Sequence, residues 1–192
     1  MTISPIPPKP AAPRQSWSPL AWVLVASAFF GYAVLPYFSR NAARSSALVG
    51  QPAPDFSLPV LHGGDAGSRI QLSALAGHVV VLDFWASWCK PCVAQAGILS
   101  AMAPRLGDGV MLVGVNTSDN PERARQFAEK HELPYPVVLD GGEAANAYGA
   151  NNLPTLIVID RQGRVSSTAA GVMSESELES AIEAAGQQGT SG

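Results

Sequence analysis

Cysteine and histidine are both scarce in this chain of 192 residues, at two and three. Two cysteines cannot build a framework of structural disulfides. Even with His62, His78 and His131, which are scattered, they do not give the closely spaced ligands of a structural zinc site. Charge is scarce as well. Charged residues make up 14% of the chain, with 12 lysines and arginines against 15 acids, a net charge of −3. That balance leaves no basic footprint for a nucleic acid. No internal repeat is visible, and the length suits one medium domain with an extension. The hydrophobic share is 47%, and one N-terminal segment supplies part of it.

Residues 1–19 are rich in proline and polar side chains and read as a disordered tail. Residues 20–38, LAWVLVASAFFGYAVLPYF, hold no charge. As a helix this run spans about 28 Å, close to the hydrocarbon thickness of a bilayer. Trp17, Trp22, Tyr32 and Tyr37 lie toward its ends, where interface aromatics belong. A cleaved signal peptide or a core helix are the alternatives. The run is long for a signal core, no clean small-x-small site follows, and no polar face is present. We therefore read a single transmembrane anchor. Lys9 and Arg14 before it nearly balance Arg40 and Arg44 after it, so charge does not orient it. An N-terminus on the cytoplasmic side is expected because most of the chain follows the span. Residues 39–49 read as a linker, and residues 187–192 as a frayed tail.

The folded domain is expected over residues 50–186. A short alternating strand at 55–61 and a second at 69–72 flank turn residues and form an N-terminal hairpin. The run 79–84, VVVLDF, reads as a buried strand, as does 110–116, and 136–139 and 155–159 read as further strands. Between them, helices are expected from the cysteines to about Arg105, from Asn120-Pro121-Glu122, and over 143–149. A strand at 164–171 follows the turn at 160–163, and Ser174…Glu177 reads as a capping box for the last helix. Alternating strands and helices predict a mostly parallel α/β sheet with an antiparallel edge.

The chemistry gathers at Trp88-Cys89-Lys90-Pro91-Cys92, between the strand at 79–84 and a helix. Pro91 suits a first helical turn, which places Cys89 at the helix N-terminus. The positive end of the helix dipole favours a thiolate there, and such settings lower a cysteine from about 8.5 into the range of roughly 3.5–7.5. Cys92 lies one turn further in and is expected to be less exposed. One sulfur is set to attack and the other to resolve, and the spacing suits a short disulfide. Lys90 adds positive charge beside Cys89, or is simply an exposed lysine. Trp88 is expected to cover the site and Trp85 to sit in the core.

Residues 81–92, VLDFWASWCKPC, resemble the active-site strand and turn of thioredoxins, and Leu153-Pro154-Thr155 resembles that fold's cis-proline loop. Gln51-Pro52-Ala53-Pro54-Asp55-Phe56 and the longer segment 118–148 resemble the TlpA/ResA group. The resemblance covers about residues 50–186. It implies a thioredoxin fold with an N-terminal β-hairpin extension and a central insert. It also implies membrane-anchored thiol–disulfide oxidoreductases on the outer face of the bacterial inner membrane. These reduce protein disulfides, for example at haem-binding cysteines of apocytochromes c or at copper-site cysteines. Their electrons come from a transmembrane thiol carrier, and no cofactor is involved. Cys89 would be the nucleophile, Cys92 the resolving thiol, and Asp83 the group that takes the Cys92 proton. Leu153, Pro154 and Thr155 would shape the site. Asp119 falls where an acid approaches the cysteines in this group, or else it caps the following helix. Gln95 and Gly97 depart from the group's usual glutamate and proline, and Asp83 stands where it often has asparagine.

Net oxidation of secreted proteins would use the same residues. A peroxiredoxin-like peroxidase shares the Ala-Pro-Asp-Phe type of opening, but its reactive cysteine sits in a Pro/Thr-rich loop. A copper(I) carrier would have only two thiolates as ligands.

Overall fold

The computed structural model describes residues 19–33, 47–65 and 67–188. They fall into two compact units, with the first helix in one and every other element in the other. Helix α1 (Pro19–Ala33) carries no acid in its first turn and no base in its last. Side chains 22–29 along it are exposed, and Ser27 Oγ donates to Val23 O at 2.8 Å. No helix among the described residues is long and apolar enough to cross a membrane. Of the expected anchor, residues 34–38 lie outside the described residues. So do residues 1–18 of the tail, 39–46 of the linker and 189–192 at the end. Gln187, expected to be frayed, closes the last helix.

The second unit is built on a seven-stranded sheet, ordered β2-β1-β5-β4-β3-β6-β7. The strands are β1 (Ser57–His62), β2 (Arg69–Gln71), β3 (Val79–Trp85), β4 (Val110–Thr117), β5 (Val137–Asp140), β6 (Thr155–Ile159) and β7 (Val165–Ala170). The helices are α2 (Lys90–Met102), α3 (Pro121–Lys130), α4 (Glu143–Tyr148) and α5 (Glu175–Gln187). A short 3-10 turn, Ala103–Arg105, continues α2 to the residue at which the sequence ends it.

The sheet is less parallel than the pattern of elements implies. Only β3–β4 and β4–β5 run parallel, while β1–β2, β1–β5, β3–β6 and β6–β7 are antiparallel. Strand–helix alternation signals crossovers, but it does not encode that β6 returns against β3. Nor does it encode that the N-terminal hairpin joins the sheet beside β5.

All seven β3 residues are buried, because helices cover both faces of this central strand. Val79, Val81 and Trp85 face a core completed by Leu99 and Met102 of α2, Phe127 of α3 and Leu178 of α5. Val80, Leu82 and Phe84 face the other way, onto Val113, Val115, Ile157 and Tyr148. Each such buried side chain contributes about 1.5–3 kcal/mol. Helix starts follow their sequence signals. Asn120 Oδ1 accepts from the backbone N–H groups of Glu122 and Arg123. Ser174 and Glu177 form the reciprocal capping box.

One strap fixes where the chain enters this unit. Gly50 N–H donates to Val165 O at 2.8 Å, Val165 N–H to Gln51 O at 3.0 Å and Ala53 N–H to Gly163 O at 2.8 Å. Val165 is level with Ile159, and Ile159 with Val80 near the start of β3.

Candidate active site

Strand β3 ends at Trp85, and the next residues turn onto α2. Cys89 is the N-cap of α2, with Lys90 and Pro91 as its first helical residues. Pro91 there forgoes an N–H that has no intrahelical partner in any case. Cys89 N–H donates to Ala86 O at 3.0 Å and Cys92 N–H to Cys89 O at 3.2 Å. The two sulfurs form a disulfide, with Cα atoms 5.4 Å apart. Cys92 is 1% exposed and Cys89 5%, so the sulfur nearer the surface is itself largely covered. The helix N-terminus beneath Cys89 provides unpaired N–H groups, which favour negative charge on its sulfur once the bond opens.

Trp88 is 61% exposed beside the disulfide, and its Nε1–H donates to Ser118 O at 3.2 Å. Lys90 and Pro91 are exposed on the same turn. The Leu153–Pro154 peptide bond is cis. Register puts this loop at the disulfide end of the sheet, because Thr155, the first β6 residue, pairs with Phe84, next to the last residue of β3. Pro154 and Thr155 are buried, Leu153 is half-buried, and Pro154 O accepts from Gly171 N–H at 2.8 Å. A pocket of about 110 Å³ beside Trp88 is lined by Thr117, Ser118, Asn146, Asn151 and Leu153, among others. A larger one, about 180 Å³, lies at the opposite end of the sheet by His78 and Asp160, away from the sulfurs.

Asp83 is 3% exposed on β3, and burial pushes its carboxyl up to about 7. Strand alternation puts it on the face of Val81 and Trp85, against which Cys89 and Cys92 pack. Asp119 behaves differently. Partial burial pulls its carboxyl up, but hydrogen bonds from Asn116, Ser87 and Asn120 outweigh that and hold it below the usual carboxylate range. Ser87 contributes both its backbone N–H at 2.5 Å and its hydroxyl at 2.8 Å. Asp119 therefore ties the loop before Cys89 to the loop after β4. The α3 cap is its neighbour Asn120.

The roles of several residues at this end went unread in the sequence. Ser87 anchors the motif loop, and Asn116 supports Asp119 from β4 at 2.9 Å. The spacing Asn116-x-x-Asp119 was the available signal. Ser118 adopts a φ of 51°, uncommon for a residue with a side chain, where it meets Trp88. Gln95, fully buried on α2, accepts from Met173 N–H at 2.8 Å and so pins the segment before α5. Among the described residues no group of three or more His, Cys, Asp or Glu could hold a metal ion.

Comparison with known proteins gives the family. Residues 49–168 match the AhpC/TSA family. A thiol-disulfide oxidoreductase ResA of Geobacillus thermodenitrificans is 31% identical over 84% of this chain and 90% of its own. The chain belongs to the AhpC/TSA family, among its ResA-like thiol–disulfide oxidoreductases. A thiol:disulfide interchange protein DsbE of Xylella fastidiosa is 36% identical over 72% of this chain and 70% of its own. Among solved structures, a Chlorobium tepidum protein described as a thiol:disulfide interchange protein DsbE superimposes with a TM-score of 0.62. It is 33% identical and covers 70% of this chain and 94% of its own. The thioredoxin-like fold is common to both, and Cys89–Cys92 is the dithiol pair that this ResA-like chain presents.

Proposed function

We propose that this ResA-like chain reduces disulfides in extracytoplasmic proteins while tethered to the bacterial inner membrane. The observation that carries the reading is the placement of Cys89 at the N-cap of α2, with Cys92 one turn below it. In the reduced protein, the Cys89 thiolate attacks a substrate disulfide and one substrate sulfur leaves. Asp83, raised by burial toward neutrality, takes the proton of Cys92. The Cys92 thiolate then attacks Cys89 Sγ, the second substrate sulfur leaves, and two electrons have passed to the substrate. A transmembrane thiol carrier restores the dithiol. Haem-binding cysteines of apocytochromes c and copper-site cysteines are the substrates this reading favours.

Trp88, Lys90 and Pro91 form the exposed rim of the site, and Leu153, Pro154 and Thr155 its opposite wall. Pro154 lacks an N–H, and Gly171 already occupies its carbonyl. An extended substrate segment would therefore pair with the neighbouring peptide groups. The tether is supported by the uncharged run 20–38 and by the exposed apolar side chains of α1.

Trapping tests the assignment of roles. Cys92→Ser should accumulate mixed disulfides through Cys89, visible as mass-shifted adducts on non-reducing gels, and Cys89→Ser should not. Equal trapping by both variants would contradict it.

A further inference from the structure

Among the buried polar atoms without a hydrogen bond, three belong to residues grouped around one point. They are Asp83 Oδ1, Trp85 Nε1 and the Tyr135 hydroxyl, and each residue is at most 4% exposed. The point is Gly114, which pairs with Asp83 across the β3–β4 ladder. A Cβ on residue 114 would come 3.0 Å from Trp85 Nε1, 3.1 Å from Val137 Cγ2 and 3.4 Å from Tyr135 Cε2. Trp85 and Tyr135 thus occupy the space that a side chain at 114 would take, directly across from Asp83. The charge of Asp83, after burial, pushes the Tyr135 phenol upward, which places the two groups within electrostatic reach.

We propose that Tyr135 is a positioning residue for Asp83, its hydroxyl donating to the ionised carboxylate on the sheet face beneath the disulfide. The proposal rests on Asp83 being the base for Cys92. A carboxylate in a dry core needs a donor, and an unpaired one is costly. A phenol supplies that donor without adding a charge. It can also accept a hydrogen bond once the carboxyl is protonated, so it serves both states. The proton passes from Cys92 Sγ to Asp83. The S–S bond between Cys89 and the substrate breaks as the Cys89–Cys92 bond forms. The substrate sulfur departs with its electron pair and is protonated by water.

Few titratable groups surround this point, and Gln95 Nε2 on α2 is another buried donor without a partner. In the core cluster on this face, the titratable members are Cys89 and Cys92 from α2 and Tyr135 before β5. Helix α3 brings Ala124, Phe127 and Ala128, helix α5 brings Leu178, Ile182 and Ala185, and β6 brings Leu156 and Val158, all apolar. His131 reaches this layer through its contact with Phe127, at 4.4 Å between ring centres. Gln95 is neutral, with its oxygen committed to Met173. The buried Asp140 is held by backbone N–H groups at the start of α4, and the buried Asp160 by those of the β6–β7 turn.

The test follows the Asp83 carboxyl in the full-length reduced protein by carbon-13 NMR, its signal assigned by its loss in Asp83→Asn. Tyr135→Phe should move the titration midpoint up by about one pH unit, the scale of a lost hydrogen bond to a charge. The pH profile of insulin reduction should move with it. Replacing Tyr135 with 3,5-difluorotyrosine, a stronger donor, should move the midpoint down. Adding Tyr135→Phe to Asp83→Asn should change the profile no further. If the hydroxyl is merely buried, Tyr135→Phe stabilises the fold and leaves midpoint and profile in place, which overturns the proposal. An Asp83→Asn profile that matches the wild type's overturns the Asp83 assignment, and this proposal with it.

Discussion

At the scale of single residues, Asp83 carries the sharpest thermodynamic consequence. Its carboxyl is raised to about 7 in the fold, whereas an unfolded aspartate titrates near 3.9. Between those values the native state holds a proton that the unfolded chain has lost, so stability falls as pH rises from about 4 to 7 and then levels off. Asp83→Asn removes this penalty. It should stabilise the protein by up to roughly 4 kcal/mol at pH 8 and by close to nothing at pH 4. Urea denaturation at the two pH values measures the difference. Cys89, Cys92, Asp83 and Pro154 were legible in the sequence because each stands in a contiguous motif. Tyr135 and Gly114 were not. Their significance lies in a packing contact between β4 and the segment before β5, and nothing in local sequence marks it.

At the scale of elements, the redox turn is held by its neighbours. Asp119 accepts two hydrogen bonds from Ser87 and one from Asn116, and Trp88 reaches across to Ser118. Asp119→Ala would strand those donors. It should cost about 1–3 kcal/mol and speed amide exchange at Ser87, as read by chemical denaturation and hydrogen exchange. The helices were legible nearly to the residue, because the Asn120 and Ser174 caps are local chemistry. Strand direction was not. The antiparallel return of β6 against β3 depends on long-range pairing that an alternating pattern of elements leaves open.

At the scale of the molecule, direction of electron flow is a property of the whole reduced fold against the whole oxidised one. A reductant needs a dithiol that is not too comfortable. If the proposed function holds, the full-length protein should equilibrate with glutathione buffers at a potential nearer about −270 mV than about −120 mV. A value at the oxidising end would reverse the assignment of direction. The family was legible because the chemistry is carried by adjacent residues in one turn. The proposed anchor draws on the uncharged run 20–38 and on the exposed apolar side chains of α1.

The strap from Gly50 to Ala53 adds a mechanical consequence. It binds at the Val80 end of β3, and the sulfurs lie beyond Trp85, about 15 Å of strand away. Any leash upstream of Gly50 thus arrives at the pole remote from the chemistry. Lengthening it, stiffening it or exchanging it for another carrier alters how far the sulfurs can range and the local concentration they meet, and leaves their intrinsic reactivity alone.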